Sequence, residues 1–394
     1  MDGRVVAGIS TDRAQVVRFL DSFFGASDPI RLEPLGVRTG RKLALSYLRE
    51  PFLGADGSRA RGHTNWQECR AMADVWREAG WSVDVVDRRD RRYFPRDAHA
   101  VVDLGVNLGR WAPDLPADCC KILHATGAHW LTQNEAEKNR LAELAKRRGL
   151  SLVPRRQNLP SRGIESCDLA TVLGNNFTIE SFRFAGKPLE RIPISSAYEF
   201  PWAADRDFES ARRRFLWMGS YGMVHKGLDL VLEAFAGMPD LQLTVCGRPE
   251  KEEDFWQAYR RELTSLPNIK FAGWLDLASP EFETIRRTHI AMIYPSCSEG
   301  GGGAVIHAMH AGLIPVVTRE ASVDTLDFGE NIPASSVEEV SAAVRRVSEC
   351  IPAELEQRAR AAWKHARTLH TLPAFTARYR DFVDDLLAGK LNSA

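Results

Sequence analysis

Residues 294–318 read YPSCSEGGGGAVIHAMHAGLIPVVT, and this stretch constrains the fold more than any other. The run 291–294 is apolar and ends at Pro295, which closes a buried strand. Ser296, Cys297, Ser298 and Glu299 lead into Gly300, Gly301, Gly302 and Gly303. Residues 304–311 accept a helix, Gly312 stops it, and 313–317 is a second apolar strand. Such a glycine loop exposes backbone N–H groups at the positive end of a helix dipole, a place to hold a phosphate. One glycine would fit a turn that needs its backbone freedom. Four behind a carboxylate, at a strand's C-terminal end, fit a ligand loop better.

The rest of the chain repeats this alternation. Strands are expected at 43–48, 81–86, 98–104, 121–124, 169–173 and 191–194, with helices at 64–79, 133–148 and after Asn175. The segment 197–214 breaks the pattern with Pro201 and many charges, and reads as a linker. Strands then return at 215–218, 241–246 and 269–272, separated by helices at 228–236, 250–265 and 280–288. Helices at 337–349, 353–370 and 373–388 close the chain. The fold class is therefore α/β: two doubly wound Rossmann-like domains facing a central cleft. They are expected at 41–196 and 215–370, with a C-terminal helix packing back toward the first. Residues 1–40 form an extension of unclear role, with a short amphipathic helix at 12–24.

With 394 residues there is enough chain for two cores. The formal net charge is zero, so no global field recruits nucleic acid. No apolar run approaches a membrane span, and the N-terminus lacks the apolar core of a secretory signal. Seven scattered cysteines without a CxxC pair argue for reduced, mostly buried thiols in a cytosol, not a zinc site or disulfide framework.

The second half resembles the donor-binding domain of retaining GT-B glycosyltransferases, specifically glycosyltransferase family 4. The pieces follow the family order over 215–350: Gly219 with Lys226 and Gly227, VCGRP at 245–249, FAGWLD at 271–276, and PSCSEGGGG at 295–303. The resemblance implies transfer of a hexose from a nucleotide-diphosphate sugar to a glycan or lipid-linked acceptor, with retention. It implies no resident cofactor and no bound metal, the nucleotide sugar being a substrate. Lys226 would meet the charge that develops on the diphosphate, with amides from Gly300, Gly301, Gly302 and Gly303. Glu299 matches the first glutamate of the family's E-x7-E motif, which contacts the donor sugar. As plain residues, Glu299 would cap the following helix and Lys226 would be a solvated helix-start lysine.

Two positions depart from the family. His307 stands where a second glutamate grips the nucleotide ribose; a neutral imidazole still bonds one hydroxyl. Ser220 stands where an arginine usually follows the glycine, so one diphosphate cation is missing. Arg248 and Arg319, at neighbouring strand ends, are the candidates to replace it. In the first half the family often carries a histidine facing the sugars. His124 is the better candidate and His129 the second. Arg59, Arg61 and His63, in the loop 54–63, could meet an anionic acceptor. Arginines cluster at Arg88, Arg89, Arg91, Arg92 and Arg96, and basic residues again at Lys146, Arg147, Arg148, Arg155 and Arg156. Solvated surface is the preferred reading of both; a peripheral contact with anionic lipid at the inner face of the membrane is the sharper one. The departures keep two alternatives open: a non-catalytic GT-B protein that binds glycan or stabilises a partner, and a nucleotide-sugar epimerase.

Overall fold

The computed structural model describes residues 28–54 and 64–391. The helix expected at 12–24, and Arg59, Arg61 and His63, lie outside the described residues. Two sheets carry the architecture. The first comprises β1 (Ile30–Leu32), β2 (Lys42–Tyr47), β3 (Ser82–Asp87), β4 (Ala100–Asp103), β5 (Cys120–Ala125), β6 (Leu169–Leu173) and β7 (Leu189–Ile192), in the order β1-β3-β2-β4-β5-β6-β7. β1 runs antiparallel to β3, while β2 is parallel to β3 and β4. The second comprises β8 (Arg214–Gly219), β9 (Gln242–Gly247), β10 (Ile269–Gly273), β11 (Ala291–Tyr294), β12 (Ile314–Thr318) and β13 (Glu330–Ile332), in the order β10-β9-β8-β11-β12-β13. All its pairings are parallel. The longer helices are α1 (Thr64–Glu78), α2 (Trp130–Arg148), α3 (Leu228–Ala236), α4 (Glu253–Ser265), α5 (Pro280–Thr288), α6 (Gly303–His310), α7 (Val337–Glu349), α8 (Pro352–Leu369) and α9 (Leu372–Leu387).

The elements form where local chemistry directs them. Ser279 accepts the amide of Phe282 and Pro280 fills the first turn of α5. Ser336 caps α7 through the amide of Glu339. Gly149 ends α2 at φ +68°. The expected strand at 191–194 is displaced to Leu189–Ile192, because Pro193 brings no N–H to the ladder. The central strands are buried on both faces, which is why they read as unbroken apolar runs.

Close approach of residues divides the chain into two compact units. One holds residues 1–124, 162–169 and 383–393; the other holds 125–161 and 170–382. The core of the second unit centres on Phe215, Leu216 and Trp217 of β8, with Met292 and Ile293 of β11. The segment 197–214 belongs to this unit and is packed. Its Arg206, only 5% exposed, donates to the carbonyls of Gly312 and Ala311 and so satisfies the C-terminus of α6.

In the second basic cluster Lys146 is exposed, but three of the arginines are held in ion pairs. Arg147 pairs with Asp229 at 2.9 Å and Glu233 at 2.7 Å, Arg148 with Glu262 at 3.1 Å, and Arg155 with Asp254 at 2.6 Å. Their partners come from α3 and α4, far away in sequence. Arg89, Arg91, Arg92 and Arg96 of the first cluster are exposed. The seven cysteines are all free, and five are buried. Among the described residues, no helix is long and apolar enough to cross a membrane.

Candidate active site

Three loops leave the C-terminal ends of β8, β9 and β11 in the second unit. β8 and β9 end in register at Gly219 and Gly247. A Cβ at Gly219 would lie 2.6 Å from the Trp217 ring and 3.1 Å from Cδ of Lys226. The lysine stem therefore needs a glycine to pass over. Gly227, at φ +73°, ends the loop against Pro295, whose carbonyl would stand 2.4 Å from an added Cβ. This close fit brings the loop after β8 onto the loop after β11.

At the junction, Lys226 Nζ donates to Glu299 Oε1 at 2.7 Å and to Tyr294 Oη at 2.5 Å. Tyr294 Oη donates in turn to Oε1 at 2.9 Å, and Ser296 Oγ reaches the same oxygen at 3.2 Å. Lys226 is 7% exposed, which removes the solvated reading. Glu299 does not cap α6; Gly302 does, at φ +54°, without a side chain. All three donors share Oε1, so Oε2 takes none among the described residues. Two of the three ammonium hydrogens of Lys226 are used.

The Glu299 backbone is fixed as well. Its amide donates to Glu320 O at 2.9 Å, and its carbonyl accepts Thr178 Oγ1 at 3.3 Å. Burial pushes the carboxyl up, but the charges of Lys226, Arg156 and His225 outweigh burial and hold it down to about 2 from 4.5. A carboxyl whose folded value lies below the unfolded one stabilises above the unfolded value. That stabilisation is lost as pH falls from 4.5 toward 2. Thermal melts of wild type and Glu299→Gln should therefore differ at neutral pH and converge through that window. A gap unchanged down to the acid limit would remove the ion pair as its source.

The glycines of the loop after Glu299 have separate reasons. A Cβ at Gly300 would stand 2.1 Å from the carbonyl oxygen of Thr126. Gly301 and Gly302 take φ of +116° and +54°. Gly303 has neither constraint, its nearest neighbour being Ile194 at 3.7 Å. Gly302 O accepts the amides of Val305 and Ile306. The amides of Gly303 and Ala304, in the first turn of α6, take no protein acceptor among the described residues.

The other expected residues sit as follows. Ser220 is exposed at the mouth of the β8 loop. His307 lies on α6, its Nε2 accepting the amide of Ala197 at 3.3 Å and its ring 5.8 Å from that of Tyr198. Burial lowers it to about 4, so it is neutral at pH 7. His124, in the first unit, is fully buried near the end of β5, its ring 5.9 Å from Tyr47, and burial lowers it to about 4. His129 precedes α2, with Phe182 and Phe184 edge-on to its ring. Of the two expected replacement cations, Arg319 pairs with Glu180, and Arg248 lies 4.7 Å over the exposed Trp274 ring.

His225 was not expected. Its Nε2 donates to Ser298 O at 2.6 Å, and its carbonyl accepts Cys297 N at 2.9 Å. It thereby clamps the β11 loop to the β8 loop from the position before Lys226. Burial holds it down to about 4, hence neutral. The signal available in sequence was its adjacency to Lys226 in HKG.

Residues 212–350 match the family model described as glycosyl transferases group 1. This region is a group 1 glycosyltransferase domain. Solved structures of similar fold span nearly their whole length. Sucrose-phosphate synthase from Thermosynechococcus elongatus is 14% identical with a TM-score of 0.59, over 89% of this chain and 100% of that one. An α,α-trehalose-phosphate synthase (UDP-forming) from Burkholderia vietnamiensis is 10% identical with a TM-score of 0.57, over 91% and 98%. The Anabaena protein HepE, in complex with UDP and glucose, is 11% identical with a TM-score of 0.53, over 87% and 99%. At these identities the likeness establishes the fold alone, which is GT-B. No curated protein sequence matches the chain.

Proposed function

We propose that this glycosyltransferase moves a hexose from a nucleotide-diphosphate sugar to a glycan or lipid-linked acceptor. The observation that carries the reading is the Lys226–Tyr294–Glu299 cluster beside the open amides of α6. A diphosphate leaving group gains charge as the bond from its oxygen to the anomeric carbon breaks. The acceptor oxygen bonds to that carbon, and its proton leaves with the diphosphate. The remaining hydrogen of Lys226 and the amides of Gly303 and Ala304 are donors for that charge. Glu299 Oε2 is left to accept hydroxyls of the sugar. An Nε2 that accepts from Ala197 puts the proton of His307 on Nδ1, a donor for a ribose hydroxyl. With lysine and helix dipole meeting the diphosphate, the proposed reaction uses no bound metal, and retention follows the family chemistry. UDP in the Anabaena complex and a UDP-forming synthase among similar folds favour a uridine donor. His124 is proposed as an acceptor-side residue.

Calorimetry of the full chain against UDP-, GDP-, ADP- and TDP-hexoses tests the reading. One donor should bind, and product should form only when an acceptor is added. Absence of binding by all would favour the non-catalytic alternative. Sugar conversion without an acceptor would make the protein an epimerase.

A further inference from the structure

Serine, not a cationic residue, follows Gly219, and an arginine from elsewhere in the same unit approaches that loop. Residues 152–157 run past the β8 loop, and Arg156 reaches it directly. A Cβ on Gly222 would lie 2.6 Å from Cγ of Arg156 and 3.0 Å from its Cδ. Gly222 is thus the place where the arginine stem crosses the loop, two residues after Ser220. The backbone beneath Arg156 is fixed by two residues one turn apart on α2. Glu137 accepts the amide of Arg156 at 2.8 Å and that of Arg155 at 2.9 Å. Gln133 Nε2 donates to the Arg156 carbonyl at 2.5 Å.

The side chain itself is unspent. Nε of Arg156 is buried without a hydrogen-bond partner, and the guanidinium forms no ion pair among the described residues. Neighbouring Arg155, by contrast, is neutralised by Asp254 at 2.6 Å. The charge of Arg156 acts on the site, since it is among the charges that hold Glu299 down. Arg156 is half-buried, and its buried Nε takes no acceptor from the protein, so its guanidinium has donors left for an anionic ligand at this loop.

We propose that Arg156 binds the diphosphate of the donor, supplying from the 152–157 segment the positive charge that Ser220 does not provide. This rests on the nucleotide-sugar reading above. Arginine suits the task because its planar fork can bridge two phosphate oxygens.

The test is calorimetric binding by the full chain of UDP, GDP and ADP, following whichever binds wild type. Arg156→Gln should weaken that nucleoside diphosphate about ten- to hundredfold, the scale of one charge-assisted contact. Adding Ser220→Arg to Arg156→Gln should restore binding to within about threefold, because the charge returns to the same loop. Arg156→Lys, which keeps stem and charge, covers the case in which the glutamine variant does not fold. It should retain binding within about tenfold. Wild-type affinity in Arg156→Gln would overturn the inference and leave the donor reading intact. So would wild-type affinity in a folded Arg156→Met variant, which keeps an apolar stem over Gly222 but carries no charge. Failure of wild type to bind any of the three would instead remove the donor reading, and this inference with it.

Discussion

Lys226→Ala should cut sugar transfer about a thousandfold, the upper range for losing one preorganised donor to a developing charge. Glu299→Gln should fall comparably, because the amide can place its nitrogen where Oε2 accepts sugar hydroxyls. Each single change also leaves the other charge buried: the two side chains are 9% and 12% exposed and 2.7 Å apart. Breaking such a pair costs about 3 kcal/mol, so lost activity alone would not separate catalysis from folding. The double variant Lys226→Met/Glu299→Gln separates them. It has no buried charge to strand, so its melting temperature should recover toward wild type while transfer stays lost. Near-normal turnover in both single variants would end the proposed mechanism. Recovery of transfer in the double variant would mean that the pair serves only the fold.

The second large effect concerns the glycines. Gly300→Ala places a methyl 2.1 Å from Thr126 O, where both sides are backbone and neither can rotate away. A destabilisation of about 3 kcal/mol is expected. Gly303→Ala meets nothing nearer than 3.7 Å and sits at the start of a helix, so its melting temperature should hold. Its effect should appear in donor affinity, about tenfold, because a methyl there crowds a phosphate approaching the open amides. Intact donor affinity in Gly303→Ala would reduce the four-glycine run to turn geometry. Thermal melts and calorimetry on the same two variants decide between the readings.

Much of the frame was legible from periodicity. β6, β11, α3, α5 and α7 match the expected bounds, because each is a buried run or amphipathic stretch with its own stop signals. β1 and β13 were not legible: three residues carry no period, and both are held by pairing with a longer neighbour. The glycine loops and Lys226 could be read because glycine marks special backbone and a lysine beside it is unusual. His225, Glu137 and Arg156 could not, because their roles depend on partners brought in by the fold. The basic residues at 146–156 misled for the same reason. Solvated, ion-paired and ligand-binding arginines look alike until the carboxylates of α3 and α4 are in place.

The strand order of the second sheet carries one more consequence. β8 and β9 are adjacent in sequence and in space, whereas β11 enters beside β8 only after β9, β10 and their helices have been made. Lys226 follows β8 and Glu299 follows β11, so the pair spans 73 residues of chain. Closing that long loop is among the slower events of folding. During synthesis the β8–β9 half can form while the reactive pair is still apart. Activity thus arrives late, when the sheet closes along its middle, and a chain stalled before that point would keep secondary structure but have no chemistry.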